Sequence, residues 1–287
     1  MSNLSDIKRR ITSVKQTRQI TGAMETVSVA KMRKALELYD RSNSYTAELR
    51  RVMAEVAYSS DIEEIFDVPQ DGRRAIVVFS TDRGLCGGFD HDIFKTADGV
   101  CDENTVVMPV GQTAAARYAS RADGLLDVCC ADAYSADSMS AERIANRLLA
   151  AYGNGINRIE LVFAEMQTRS AYKPTVKPLL PFVKPQQSEE LARTLCLEPS
   201  AAEVFSALLP AYVTGSIYGA LVNNIAAEHC ARHAAMSAAT ESADEIINKL
   251  SIEYNRARQS TVTEQIVEII GSTEALKKQG VGSEKRP

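Results

Sequence analysis

The residues that could do chemistry are few, and they sit far apart. The run Ser80-Thr-Asp-Arg-Gly-Leu-Cys-Gly-Gly-Phe-Asp90 follows an apolar, β-branched stretch, Ala75-Ile-Val-Val-Phe79. A doubly wound sheet places its ligand at that kind of junction. The glycines fall at 84, 87 and 88, which fits neither G-x-G-x-x-G nor G-x-x-x-x-G-K-[ST], and no lysine follows to hold phosphates. A tight structural turn beside Asp82 and Arg83 is the better reading than nucleotide binding. His229 and His233 are four apart, so a helix would put both on one side. The string His-Cys-Ala-Arg-His lacks the glutamate of H-E-x-x-H, and Cys230 points about 100° away from His229. A third metal ligand is not evident, and packing or surface histidines are expected instead. His91, between Asp90 and Asp92, reads as a surface residue at a helix start. No nucleophile motif accompanies any histidine, so no catalytic, cofactor-binding or metal-ligating residue is assigned.

Six cysteines occur, at 86, 101, 129, 130, 196 and 230. None forms C-x-x-C, so neither a zinc ribbon nor a disulfide framework is indicated. Buried, inert thiols in a reducing compartment are expected. Basic runs at Lys8-Arg9-Arg10 and Lys31-Met-Arg-Lys34 could meet phosphates, but the first aromatic residue is Tyr39. Nucleic-acid sites interleave stacking aromatics with their cations, so an acidic protein surface is the better partner.

The elements that position these residues follow from the breakers. All nine prolines lie between 69 and 210 or at 287, and Gly22 is the sole glycine before residue 72. Long breaker-free spans at both ends predict long helices. Over 4–57, Leu4, Ile7, Ile11 and Val14 follow 3-4-3 spacing, and Met24, Val27, Leu38, Leu49, Val52 and Val56 continue the stripe less strictly. Ser2 or Asn3 is the expected N-cap. At about 1.5 Å per residue this helix reaches roughly 80 Å and must project. Over 211–276 a second stripe runs from Ile217 through Ile270, with an alanine-rich stretch from Ala226 to Ala239 and a stop expected at Gly271. The two helices most simply bury their stripes against each other as an antiparallel coiled coil.

The middle reads as α/β. Strands are predicted at Ala75–Phe79, Thr105–Met108, Leu125–Cys130 and Arg158–Ala164, with helices over Ala114–Ser120 and Ser140–Tyr152. Lys173–Pro181 reads as an edge strand, where proline is tolerated. The expected organisation is an N-terminal helix over 1–60, a Rossmann-like α/β domain over 74–205, a C-terminal helix over 206–276 and a disordered tail over 277–287.

Composition sets outer limits. The chain has 287 residues, 45% hydrophobic and 24% charged, which excludes disordered and collagen-like classes. No apolar run of membrane-span length is visible, and Met1–Arg10 predicts no secretory leader. The net charge of -4 hides a gradient, because residues 1–58 carry 11 basic and 6 acidic side chains. A basic first segment on an acidic body suits an acidic partner.

These residues resemble the gamma subunit of F-type ATP synthases over nearly the whole chain. The resemblance is carried by Ile7-Lys-Arg-Arg-Ile11, Thr17-Arg-Gln-Ile-Thr-Gly-Ala-Met-Glu25 and Ala30-Lys-Met-Arg-Lys34, then by Ser80 to Gly88. Glu253-Tyr-Asn-Arg-Ala-Arg-Gln259 and Val262-Thr-Glu-Gln-Ile-Val-Glu-Ile-Ile-Gly271 complete it. It implies a non-catalytic rotary shaft without cofactor. The terminal helices would sit inside a head of three alpha and three beta subunits, and the α/β domain would meet epsilon and the membrane c-ring. Such a shaft couples ion flow to ATP synthesis and hydrolysis and regulates both. It lies at the cytoplasmic face of a bacterial membrane as a peripheral protein, without direct membrane insertion. By the same resemblance, Arg258, Gln259, Thr263, Met24, Lys31, Arg33 and Lys34 would face beta. Ile266, Ile269 and Ile270 would form the bearing in the head collar, and Leu197-Glu198-Pro199 would belong to the foot. Two departures stand out. Gly271 is followed by Ser-Thr-Glu-Ala-Leu276, and the chain runs eleven residues further to Pro287. Deleting 277–287 is expected to leave coupled activity intact. A nucleotide-dependent enzyme with helical extensions and a coiled-coil scaffold without a motor role are the alternatives. ATP or NAD binding would reveal the first, and failure to co-purify with alpha and beta subunits the second.

Overall fold

The computed structural model describes residues 4–57, 72–120, 138–152, 154–168, 170–182 and 197–283, the last nine as backbone. Among these, five helices and four strands follow the chain: α1 (Leu4–Ala57), β1 (Arg73–Phe79), α2 (Phe89–Val100), β2 (Thr105–Val110), α3 (Gln112–Tyr118), α4 (Ser138–Ala151), β3 (Ile156–Thr168), β4 (Ala171–Leu180) and α5 (Ala201–Ser283). The chain divides into two compact units, Glu25–Ala235 and Met1–Met24 with Met236–Pro287.

In the larger unit the sheet order is β2-β1-β3-β4. β1 runs parallel to β2 and β3, and β4 returns antiparallel along β3. β1 and β2 are nearly continuous apolar runs because both faces are covered. Side chains alternate between faces. Ala75, Val77 and Phe79 enter one core with Met53 of α1, Ile144 and Leu148 of α4, and Val213 and Ile217 of α5. Ile76 and Val78 enter the other with Phe89 and Ile93 of α2, Tyr118 of α3, and Ala227 and Ala231 of α5. β4 lies at the sheet edge and carries Pro174 and Pro178, as its sequence predicts. The strand expected over 125–130 lies outside the described residues. The helix start expected at His91 is that of α2, whose buried face is formed by Phe89, Ile93 and Ala97.

The terminal helices run antiparallel within each unit. In the smaller one, Arg18 meets Asp244 at 2.5 Å and Thr21 Oγ1 meets Thr240 Oγ1 at 2.8 Å. In the larger, Glu25 faces His233 at 3.8 Å and Thr46 donates to the Gly215 carbonyl at 3.3 Å. The seam of α1 differs from the predicted stripe. Val27 and Val52 are exposed, while Thr21, Ser28, Ala35 and Ser42 are buried at intervals of seven. Small side chains at a heptad seam allow close backbone approach, and the larger apolar residues flank it.

α5 exceeds its expected limits at both ends. It begins at Ala201, where Ser200 Oγ accepts from the Glu203 N–H at 3.2 Å, and it continues through Pro210. It also passes Gly271, so the tail expected to be disordered from Lys277 is helical as far as Ser283. An exposed glycine costs a helix only about 1 kcal/mol, and Ser272–Gln279 contains no second breaker. One window of α5 reaches a mean hydropathy of 1.4, enough by length and composition to cross a membrane. About 39% of that window is buried within the protein, and the stretch from Ala220 to Arg232, which carries five polar side chains, is buried throughout.

Candidate functional site: the loop–helix junction and the exposed shaft

The glycine-rich run after β1 forms a braced loop. Its first three residues cap α3. Ser80 Oγ accepts from the Ala114 N–H at 2.9 Å, the Thr81 carbonyl accepts from the Thr113 N–H at 3.1 Å, and Asp82 Oδ1 accepts from the Gln112 N–H at 2.9 Å. The N–H groups that could cradle a phosphate are therefore already used. Asp90 at the start of α2 ties the same root, accepting from the Thr81 N–H at 3.0 Å and the Thr81 hydroxyl at 2.5 Å. Leu85 and Gly87 adopt left-handed conformations, with φ of 66° and 63°.

α5 holds this loop with buried polar side chains. Arg232 is 5% exposed and donates through Nη2 to the carbonyls of Arg83 at 3.1 Å and Gly84 at 3.4 Å. The same nitrogen lies 2.6 Å from Glu228 Oε1, a close ion pair rather than a well-aligned hydrogen bond. Arg232 Nη1 donates to His229 Nδ1 at 3.2 Å, so the neutral ring carries its proton on Nε2. Burial first, then the Arg232 and Lys31 charges, pushes the imidazole down to about 4. Burial also raises the Glu228 carboxyl, and Arg232 opposes it. One turn and more earlier, Asn224 Oδ1 accepts from the Ala164 N–H at 3.1 Å and Asn223 Oδ1 from the Met166 N–H at 2.9 Å. These four polar residues went unread in the sequence, because an alanine-rich helix hides them. The available signal was the run of polar residues at 223, 224, 228 and 232 interrupting an otherwise apolar, alanine-rich helix.

His229 and His233 do not form a metal pair: one ring packs on Arg232, the other faces Glu25. Among the described residues, no cluster of three or more metal-type side chains occurs. Cys86, Cys101 and Cys230 are free thiols. Burial and then the Asp90 carboxylate push the Cys86 thiol up, away from reactivity. Lys31, Arg33 and Lys34 are exposed along α1 in the larger unit, as are Glu198 and Pro199, with Leu197 half-buried. In the smaller unit, Met24 is half-buried and every residue from Arg258 to Glu274 is exposed. Thr263 Oγ1 donates to the Gln259 carbonyl at 2.9 Å. Ile266, Ile269 and Ile270 are 51%, 64% and 59% exposed. Large apolar residues grouped this way on a surface mark an interaction site.

The class defined here is an antiparallel pair of terminal helices carrying an inserted α/β domain. A family model described as ATP synthase matches residues 3–276. The ATP synthase gamma chain of Pelotomaculum thermopropionicum is 34% identical over 283 residues, covering 96% of this chain and 100% of its own. That of Fusobacterium nucleatum is also 34% identical, over 286 residues, with the same coverage. Among solved structures, a chain of the Euglena gracilis mitochondrial ATP synthase (OSCP, F1 and c-ring) aligns with a TM-score of 0.73 at 15% identity, covering 99% of this chain and 96% of its own. A chain of the central stalk and c-ring of the Tetrahymena thermophila mitochondrial ATP synthase gives 0.61 at 19% identity, covering 77% and 99%. The chain belongs to the ATP synthase gamma chain family. It is a subunit of that complex, and catalysis occurs at other subunits.

Proposed function

We propose that this chain is the central rotary shaft of an F-type ATP synthase, coupling ion flow through a membrane c-ring to ATP synthesis and hydrolysis in an alpha3 beta3 head. The observation that carries the reading is the exposed end of α5, within a chain matched over 96% of its length by gamma chain relatives. Apolar side chains left in water at this density call for cover, and a head that encloses the shaft supplies it. The terminal helices, 1–60 and 206–276, are then the shaft, wound as a coiled coil, and 74–205 is the foot. Arg258, Gln259 and Thr263 meet an acidic surface of beta, where a guanidinium makes forked bonds to carboxylates. Met24, Lys31, Arg33 and Lys34 face the same subunit, and the basic charge of α1 suits it. Ile266, Ile269 and Ile270 turn in an apolar collar. Leu197, Glu198 and Pro199 lie on the foot toward epsilon and the c-ring. The subunit regulates ATPase activity and ion flow from the cytoplasmic face of a bacterial membrane, held there by its partners.

The test is co-expression with alpha and beta subunits of the same source. A stable complex in which the chain is needed for ATP-driven rotation is expected. A chain that purifies alone would refute the shaft and favour a scaffold.

A further inference from the structure

The loop from Thr81 to Gly88 is tied at two places to different parts of its unit. Its root belongs to the sheet, through Asp90 on Thr81 and Asp82 on the first N–H of α3. Its tip belongs to α5, through the Arg232 guanidinium on the Arg83 and Gly84 carbonyls. Between these ties, Leu85 is 62% exposed in a left-handed conformation. A residue with a side chain holds that backbone only where its surroundings enforce it. Asn223 and Asn224 fasten α5 to β3 at a second level, about 12 Å along the helix from Arg232 at the usual rise per residue. A helix gripped at one level can roll about that grip. Gripped at two levels by directional bonds, it cannot roll without breaking one set.

We propose that Arg232 is a positioning residue that locks α5 to the α/β domain through the main chain of the Arg83–Gly84 loop, so that the two turn as one body. The inference deepens the shaft reading and rests on it. Its carrier is a buried guanidinium fixed through both terminal nitrogens: Nη2 reaches two successive carbonyls while Nη1 is held by His229, a planar pre-organisation that an ammonium lacks. Glu228 lies 2.6 Å from the same Nη2, and neutral His229 accepts from Nη1 without adding charge.

The test uses the chain assembled with alpha and beta subunits, a bead fixed to the α/β domain and the head immobilised. Two quantities are read: the angular variance of the bead during catalytic dwells, and amide hydrogen exchange at Gly84–Gly88. For Arg232→Met, loop exchange should rise at least tenfold and angular variance at least twofold. Arg232→Lys should fall between it and the parent, and Glu228→Gln should show a smaller rise in both. Faster exchange with unchanged variance would make the contact a local brace and overturn the torsional role. Unchanged exchange would overturn the lock itself. If Arg232→Met does not assemble, Arg232→Lys and Glu228→Gln decide on the same two readings. Failure of the parent chain to assemble would refute the shaft reading alone, and loop exchange in the purified chain would still judge the lock.

Discussion

Two stretches of α5 make opposite use of apolar residues. From Ala220 to Arg232 every side chain is buried, and Asn223, Asn224 and Arg232 hold backbone groups of the sheet and loop. From Arg258 to Glu274 every side chain is exposed, and the apolar ones touch water. The first stretch is completed by its own chain, the second by something else. Buried polar groups must find partners inside the fold, so the first stretch is explained by intramolecular bonds. Exposed isoleucines add little to the stability of the chain that displays them, which is what the proposed role in assembly requires.

That contrast can be broken in several ways. Gly111, at φ 99°, sits where an added Cβ would lie 2.7 Å from the Ser80 carbonyl oxygen. Gly111→Ala should destabilise the α/β unit by about 3 kcal/mol, from a backbone clash in a left-handed conformation. Chemical denaturation would read this, and a change under about 1 kcal/mol would mean the junction is looser than described. Asn224→Ala leaves the buried Ala164 N–H without its acceptor and should cost about 2 kcal/mol. Urea midpoints check it, with Asn223→Ala expected to cost less, because the Met166 N–H is only partly buried.

Acid should act on the buried stretch. Unfolded His229 takes up its proton below about 6.5, the folded one only near 4. Within that window the unfolded chain binds more protons, so stability falls as pH drops, by on the order of 3 kcal/mol in all. Glu228 works the other way, because its raised folded-state pKa favours the folded form on acidification. His229→Gln should therefore flatten or reverse the slope of stability between pH 6.5 and 4, and an unchanged slope would place the acid sensitivity elsewhere. The smallest effect belongs to the exposed stretch. Replacing Ile266, Ile269 and Ile270 by serine should change the isolated chain's stability by no more than about 0.5 kcal/mol per site. Arg258→Ala should likewise leave the fold intact while weakening torque in assembled complexes. Thermal melts beside rotation assays separate the two readouts, and a large loss of stability would show that this surface packs on its own chain.

Much of the sheet was legible because buried strands select β-branched runs. Ala75–Phe79 and Thr105–Met108 lie inside β1 and β2, and the prolines of β4 marked an edge. The length of α5 was misjudged because prolines and glycines were weighted as absolute stops. Pro210 lies in the third turn, and Ser200-Ala-Ala-Glu203 is a capping box that announced the true start. The seam of α1 was hidden for another reason. Thr21, Ser28 and Ser42 have surface-type side chains and are buried only because a second helix comes close. No single-segment pattern contains that partner. The junction on α5 was the least legible part, since an arginine in a helix reads as solvated until the loop it grips is placed.

The junction also works as a ruler. Asn223 and Asn224 index α5 to β3, and Arg232, nine and eight positions further on, indexes it to the loop. Inserting one residue within that interval would swing Arg232 by about 100° and carry its head group away from the Arg83 carbonyl. Natural length variation in this protein should therefore avoid the segment between 224 and 232.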